Sequence, residues 1–369
     1  MNARIEGLED VVAARTVLSD VDGEGGRLII RGAQLEDLAG KVSFEAAALR
    51  LWDGFFADLP SDLTVPLGNA RAQVFAHLSA LDADILPLEP LSVMRALMAR
   101  LADGDDLETA LRLLAAPAVL APAILRRAHG QAPVAPEPRL GQAADILRMY
   151  RGEGAAQIES WALEAYLVTV SDHGLNASTF AARVAASTRA GLTSAAIAGL
   201  CALKGPLHGG APGPVLDMLD DIGEPARARA WIESALDRGE RIMGFGHRVY
   251  RVRDPRADAL KAVVGALAAG SRELPGRLAF AEAIEAAILA ILAERKPARS
   301  LQTNVEFYTA LLLEALGFSR EAFTCIFAAG RMAGWIAHAR EQRALDRLVR
   351  PRSVYVGPRP GPPPAIAAA

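Results

Sequence analysis

The sequence predicts a mainly α-helical fold, and three observations carry that prediction. Hydrophobic residues make up 51% of the 369 residues and aromatic ones only 5%, so alanine and leucine supply the apolar share, which favours packed helices over sheets. Segments with apolar residues at helical spacing follow one another along most of the chain. No strand-rich region, βαβ alternation or internal repeat interrupts them. The length of 369 residues exceeds what one core usually holds, which predicts a large domain and a smaller one.

The elements follow in order. In SDVDGEGGRLIIRG, Gly23, Gly25 and Gly26 precede the apolar run Leu28-Ile29-Ile30, the pattern of a small hairpin at the surface. Helices are expected around Leu35–Leu38, Phe44–Trp52, Asn69–Leu81 and Leu91–Leu101, with Ser43 as the N-cap of the second. His77 falls in the helical pattern and reads as a structural histidine, as do His129 and His338. Gln131–Pro138 is a proline-rich loop. Helices at Leu140–Tyr150 and Ile158–Val170 are followed by the break SDHGLNAST at 171–179, a capping turn in which Asp172 and Asn176 would bond local backbone. Phe180–Ser187 and Ser194–Leu203 come next; the latter, SAAIAGLCAL, is apolar all round and is expected in the core or at a subunit interface. A Gly/Pro loop surrounds His208, then Val215–Ile222 and Arg227–Asp237 read as helices. After RIMGFGHRVY, Asp254-Pro255 opens a helix to about Ala268, with proline in its first turn. Phe280–Arg295, Thr309–Leu316 and Glu321–Leu345 complete the helices, and PRPGPPPAIAAA reads as a disordered tail.

Composition excludes several function classes. A net charge of −3 argues against a general nucleic-acid binder. The two cysteines, Cys201 and Cys325, lie in apolar segments and read as reduced core residues, so neither a disulfide nor a metal site is expected. The polar start MNARIEGLED lacks an apolar signal core, and the most apolar run, Leu113 to Leu125 with Pro117 and Pro122, is too short to span a bilayer. A cytoplasmic protein without membrane partners is expected.

The chemistry concentrates between Gly199 and Arg256. His208 and His247 each sit beside glycines, and arginines follow the second. Glycine admits close approach of backbone to ligand. Histidine exchanges protons near neutrality, and arginine grips carboxylate or phosphate with a planar fork. Together they point to acid–base chemistry on an anionic substrate. There is no GxGxxG after a strand and no Walker loop, so no nucleotide fold of those kinds is supported.

Five motifs occur in one order: SDHGLNASTFAARV, GLCALKGPLHGGAPGPVLDML, IMGFGHRVYRVRDPRA, NVEFYTALLLEALGF and FAAGRMAGWIAHAREQ, followed by RPRSVYVG. With them the chain resembles the citrate synthase family from about Gly7 to Gly357. The resemblance implies an all-helical homodimer, with residues 1–208 and 312–369 as the large domain and 209–311 as the small, coenzyme A-binding one. It implies condensation of acetyl-CoA with oxaloacetate and hydrolysis of citryl-CoA. No tightly bound cofactor is implied; the coenzyme A thioester is a substrate. His208 would stabilise the enol of acetyl-CoA, His247 would polarise the ketone of oxaloacetate, and His173 would help hold its carboxylates. Arg256, Arg331 and Arg350 match the carboxylate-binding arginines, with Arg350 reaching the partner subunit's site. Met243, Gly244, Phe245 and Gly246 match the loop that meets the adenine, and Arg251 a coenzyme A phosphate contact, with Lys296 and Arg299 as weaker candidates.

The chemistry asks for the same parts independently. A methyl group beside a thioester is a very weak acid, so it needs a positioned base and donors aimed at the developing oxyanion. A keto dicarboxylate needs several cations. One position departs from the family's PNVDFY pattern: the segment reads QTNVEFY, with Thr303 for the proline and Glu306 for the aspartate base. Three readings follow: a citrate synthase with a compensated base, a shift to another acyl-CoA such as propionyl-CoA giving 2-methylcitrate, or a weakly active paralogue that binds coenzyme A and dicarboxylates for regulation.

Overall fold

The computed structural model describes residue 8 and residues 11–80, 84–210 and 212–359. Most of the polar start, the expected helix end at Leu81 and the tail from residue 360 onward lie outside the described residues. Among the described residues a short antiparallel sheet leads into α-helices. Strand β1 (Ser19–Asp22) pairs with β2 (Arg27–Ile30), and β2 with β3 (Ala33–Gln34). The hairpin turn is closed by Asp22, whose carboxylate accepts the Gly25 amide at 2.7 Å and pairs with Arg27.

The helices are α1 (Leu35–Leu38), α2 (Phe44–Trp52), α3 (Thr64–Ala76), α4 (Pro90–Met98), α5 (Leu107–Ala128), α6 (Gln142–Arg151), α7 (Gln157–Thr169), α8 (Ala177–Ser187), α9 (Leu192–Leu203), α10 (Pro212–Ile222), α11 (Ala228–Asp237), α12 (Pro255–Ala269), α13 (Leu274–Arg295), α14 (Val305–Ala315) and α15 (Phe323–Leu345). The mainly helical expectation is met. Ser43 caps α2 as expected, its hydroxyl accepting the Ala46 amide at 3.1 Å. Helix α3 starts five residues before Asn69, because Asp62 accepts the Thr64 amide at 2.9 Å and Pro66 sits in the first turn, where a missing amide costs nothing.

The apolar run at 113–125 is the middle of a 22-residue helix, α5, whose Asp106 cap accepts the Thr109 amide at 2.8 Å. By length and composition α5 is long enough to cross a membrane, so the expectation that it is too short is corrected; 89% of its most apolar stretch is buried in the protein. Helix α9 buries Leu192, Ala196, Leu200 and Leu203 but leaves Cys201 exposed. Cys201 is therefore not a core residue, whereas Cys325 is.

Helix α15 is the spine. It packs on α2, α5, α7, α8 and α9, while α10 to α14 pack among themselves and meet the rest partly through α7. Small residues permit this closeness. A Cβ on Gly334 would stand 2.3 Å from the Ser171 carbonyl oxygen, and one on Gly330 2.6 Å from Val170 Cγ2. The spine thus lies directly against the loop that carries His173.

Gly334→Ala forces that loop and α15 apart and should cost about 1–3 kcal/mol, the usual range for overpacking. The control is Gly276→Ala in α13, where an added Cβ meets nothing within 4 Å and which should leave stability unchanged or raised by about 0.4–1 kcal/mol. Thermal unfolding followed by circular dichroism checks both.

Candidate active site

Four connecting segments converge. The first follows α7 and carries His173; the second follows α9 and carries His208; the third, ahead of α12, carries His247; the fourth, residues 302–304, leads into α14 and Glu306. The third and fourth form a short antiparallel pairing centred on Phe245 and Thr303. The Gly246 amide donates to Gln302 O at 2.7 Å, the Asn304 amide to Gly244 O at 2.9 Å, and Asn304 Nδ2 to Gly246 O at 2.9 Å. Gly244 and Gly246 have φ of +82° and +83°, and a Cβ there would meet Phe307 Cβ at 3.0 Å and Leu301 Cδ2 at 2.9 Å. Only glycine fits both, so the GFG motif is the device that brings His247 beside the helix that carries Glu306.

The β-hairpin reaches the same place. Ser19 Oγ accepts the Gly174 amide at 2.8 Å, and Gly23 O accepts the Arg251 amide at 2.8 Å. It joins the His173 loop to the His247 loop and is more than the surface feature expected from its glycines.

The ring of His173 meets those of His247 and Tyr250 with centroids 5.4 and 5.6 Å away, and its Nε2 lies 3.2 Å from the Tyr250 hydroxyl. His247 Nδ1 accepts the amides of Val249 and Tyr250 at 3.0 and 3.1 Å. Two backbone donors fix that nitrogen as the acceptor, so the neutral ring carries its proton on Nε2. That nitrogen is 3.3 Å from Arg256 Nη2. His208 Nε2 lies 2.8 Å from Ser178 Oγ, which also accepts Trp335 Nε1 at 3.1 Å.

Arg256 and Arg331 dominate the field. Arg256 is buried and forked onto Asp254, with Nε and Nη2 at 3.0 and 2.8 Å from its two oxygens. Arg331 is buried, gives Nε to Val170 O at 2.6 Å and stacks on Phe327 with 5.0 Å to the ring centroid. Burial pulls its pKa down to about 10. Burial, then the two arginines, push His208 down to about 3; burial and Arg256 take His247 down to about 4; and burial, Arg256, His247 and Arg331 hold His173 well below its ordinary value. All three rings are neutral at physiological pH. Glu306 is pushed up to about 7 by burial, against the opposing pull of Arg256 and Asn304. The arrangement combines neutral donors, excess buried positive charge and a carboxyl poised near neutrality. That is the equipment for removing a carbon-bound proton and holding an anionic partner.

The structure brings His173, His208, His247, Arg256, Arg331 and Glu306 into one electrostatic neighbourhood. Met243 and Phe245 are half-buried in the glycine loop. The carbonyl of Gly244 and both backbone groups of Gly246 are engaged in the pairing, which turns the backbone of Phe245 the other way. Arg251, Lys296, Arg299 and Arg350 are exposed, and nothing among the described residues ties Arg350 to the cluster.

Asp172 does not bond local backbone as expected. His338 Nε2 lies 3.3 Å from its Oδ2, and His338 Nδ1 receives Arg183 Nη1 at 3.0 Å. The anchor for the His173 loop therefore comes from α15, which sequence spacing alone does not reveal. Asn176 does cap α8, accepting the Thr179 amide at 3.1 Å. Sequence reasoning passed over Tyr250, Ser178 and Asp254, although Asp254 was read as a helix start. Besides holding Arg256, it accepts the Val305 amide at 3.2 Å.

Known proteins share the sequence family and the fold. The family model described as "Citrate synthase, C-terminal domain" matches residues 7–352. The chain is 37% identical over 378 residues to the citrate synthase of Haloferax volcanii, covering 95% of each chain. It is 36% identical over 372 residues to the 2-methylcitrate synthase of Mycobacterium tuberculosis, covering 95% of this chain and 90% of that one. Its fold matches the citrate synthase of Thermoplasma acidophilum, solved in a ternary complex with carboxymethyl coenzyme A and oxaloacetate, with a TM-score of 0.84, 27% identity and 98% of both chains covered.

The raised value of Glu306 carries a prediction for stability. An acid whose pKa rises from 4.5 unfolded to about 7 folded destabilises the fold increasingly as pH climbs through that window. Glu306→Gln should therefore melt above the wild type at about pH 8, and the difference should close by about pH 4.5, where both side chains are neutral. Thermal melts across pH measure it.

Proposed function

The chain belongs to the citrate synthase family, and from that premise we propose that it condenses acetyl-CoA with oxaloacetate and hydrolyses the resulting citryl-CoA to citrate and coenzyme A. The single observation that carries the reading is the convergence of three neutral histidines and a near-neutral Glu306 around the buried Arg256 and Arg331.

Glu306 takes a proton from the acyl methyl group, and the carbon–hydrogen electron pair moves into the thioester. His208 meets the oxygen that gains this charge. Its Nε2 faces Ser178, so Nδ1 is the nitrogen left for substrate; in the resting fold the Ser178 hydroxyl donates to Asn176 Oδ1 at 2.8 Å, and Nδ1 holds the proton once that hydroxyl turns to donate to Nε2 instead. The enol carbon then bonds the ketone carbon of oxaloacetate, and the ketone oxygen takes the proton from His247 Nε2. Water attacks the thioester of citryl-CoA and the carbon–sulfur bond breaks; of the two water protons and the one held by Glu306, one goes to the departing thiolate, one returns to His247 Nε2 and one leaves to solvent as the new carboxylate ionises. Arg331, with no carboxylate bonded to it among the described residues, and Arg256 offset the substrate carboxylates, with His173 beside them.

The same reading takes coenzyme A at the Met243–Gly246 loop and Arg251. It has residues 209–311 closing as a small domain over the rest, although α14 runs unbroken through residue 311. It places the enzyme in the cytoplasm as a homodimer, with Arg350 on its exposed segment reaching the partner subunit's site. Propionyl-CoA is the second acyl donor to consider, since a relative at 36% identity is a 2-methylcitrate synthase. One methylene changes acyl discrimination by only about 1–3 kcal/mol.

Release of free thiol from acetyl-CoA and propionyl-CoA, each with oxaloacetate, tests the reading. Wild type should turn over, and the better donor names the product. Glu306→Gln should lose on the order of 10²–10⁴ in kcat, the usual contribution of a general base. Glu306→Asp should lose about tenfold to a hundredfold, because the backbone is set for the longer side chain. Tight binding of both ligands by wild type with no thiol released would instead support the regulatory reading.

A further inference from the structure

A buried polar knot beside the site takes no part in the chemistry above. Glu285, on α13, is 4% exposed. Its Oε1 accepts the Thr303 hydroxyl at 2.6 Å and Arg253 Nη1 at 2.7 Å, and its Oε2 accepts the Tyr308 hydroxyl at 2.6 Å, with Lys261 Nζ at 3.5 Å. Arg253 Nη1 also lies 3.2 Å from Thr303 Oγ1. A carboxylate can be buried as an anion only where donors and cations surround it. Burial pushes Glu285 up, yet the bonds from Thr303, Tyr308 and Arg253 outweigh it and hold the carboxyl below its usual range.

Two of these partners bracket Glu306. Thr303 stands three positions before it, on the strand paired with Phe245, and is 1% exposed. Tyr308 stands two positions after it, in the first turns of α14, and is fully buried. One carboxylate therefore grips the chain on both sides of the base. The glycine-loop pairing and the Val305–Asp254 bond supply the remaining restraints on the same turn. Without the grip on Thr303, the strand end could rotate about the Asn304 cap and carry Glu306 with it.

We propose that Glu285 is a positioning residue for Glu306: through Thr303 and Tyr308 it fixes the start of α14, so that the base stays aimed at the acyl methyl group. This rests on the assignment of Glu306 as base. Glu285 touches no substrate and takes no proton in the reaction; its effect is geometric.

Thr303→Val removes the hydroxyl and keeps the shape. Its kcat should fall about tenfold to a hundredfold, as for a misplaced reacting group, while the KM for oxaloacetate stays within about threefold, since carboxylate binding is untouched. Thr303→Ser should recover most of the loss. Thr303→Val combined with Glu285→Gln should be little worse than the poorer single variant, because both break one linkage. The pH near 7 at which the stability difference between the Glu306 and Glu306→Gln proteins levels off should move toward 4.5 in the Thr303→Val background, as the released carboxyl gains water. An unchanged kcat and levelling pH, a serine variant as poor as the valine one, or a KM that rises in step with the fall in kcat would each overturn the proposal. A wild type that releases no thiol removes the assigned reaction, and the shift in the levelling pH then decides the positioning role by itself.

Discussion

Two guanidinium groups buried close together set the terms for everything around them. Arg256 is matched by Asp254, whereas Arg331 bonds a backbone carbonyl and stacks on Phe327, with Asp172 attracting it from outside bonding distance among the described residues. Each lowers the pKa of the neighbouring histidines, and Arg256 helps to lower that of Arg331 itself. Uncompensated positive charge inside a protein is costly. It persists here because the surrounding helices hold it in place. Burial first, and this field second, keep His208, His247 and His173 neutral, and a neutral imidazole can donate a hydrogen bond without adding charge to the site.

Helix α15 supplies the rigidity that this requires. Gly330 and Gly334 bring it onto the end of α7, Arg331 projects into the site, and His338 reaches Asp172 next to His173. The His338 ring is itself locked by Arg183, which also pairs with Glu341 and bonds Gln342. One helix thus carries the buried Arg331 guanidinium and the anchor for a histidine loop, so both move together if the helix moves.

Glu306 is held differently. Its position comes from a two-residue strand pairing, the Asn304 cap and the Glu285 knot, all on the side formed by α12 to α14. In the QTNVEFY segment a threonine hydroxyl stands where the family pattern has a ring that stiffens the backbone. A tertiary hydrogen bond to Glu285 does the restraining instead. Glutamate in place of aspartate is then one of two coupled differences, both acting on where a carboxylate sits.

Much was legible in the sequence. The helix-rich class follows from alanine–leucine composition and 3.6-residue periodicity, and the Ser43 cap and the Asp254-Pro255 helix start follow from local hydrogen bonding. These are interactions between residues a few positions apart, which a sequence displays directly. The residues His173, His208, His247, Arg256, Arg331 and Glu306 were legible as a set through ordered motifs. What only the tertiary structure decided is which partners complete them: Tyr250 at His173, Ser178 at His208, His338 behind Asp172, and Glu285 behind Thr303, the last two separated by 166 and 18 positions. It also decided that α5 is a buried core helix and that Cys201 faces outward. Burial and long-range pairing depend on how helices stack, and the pKa values that make the site work are properties of that stacking.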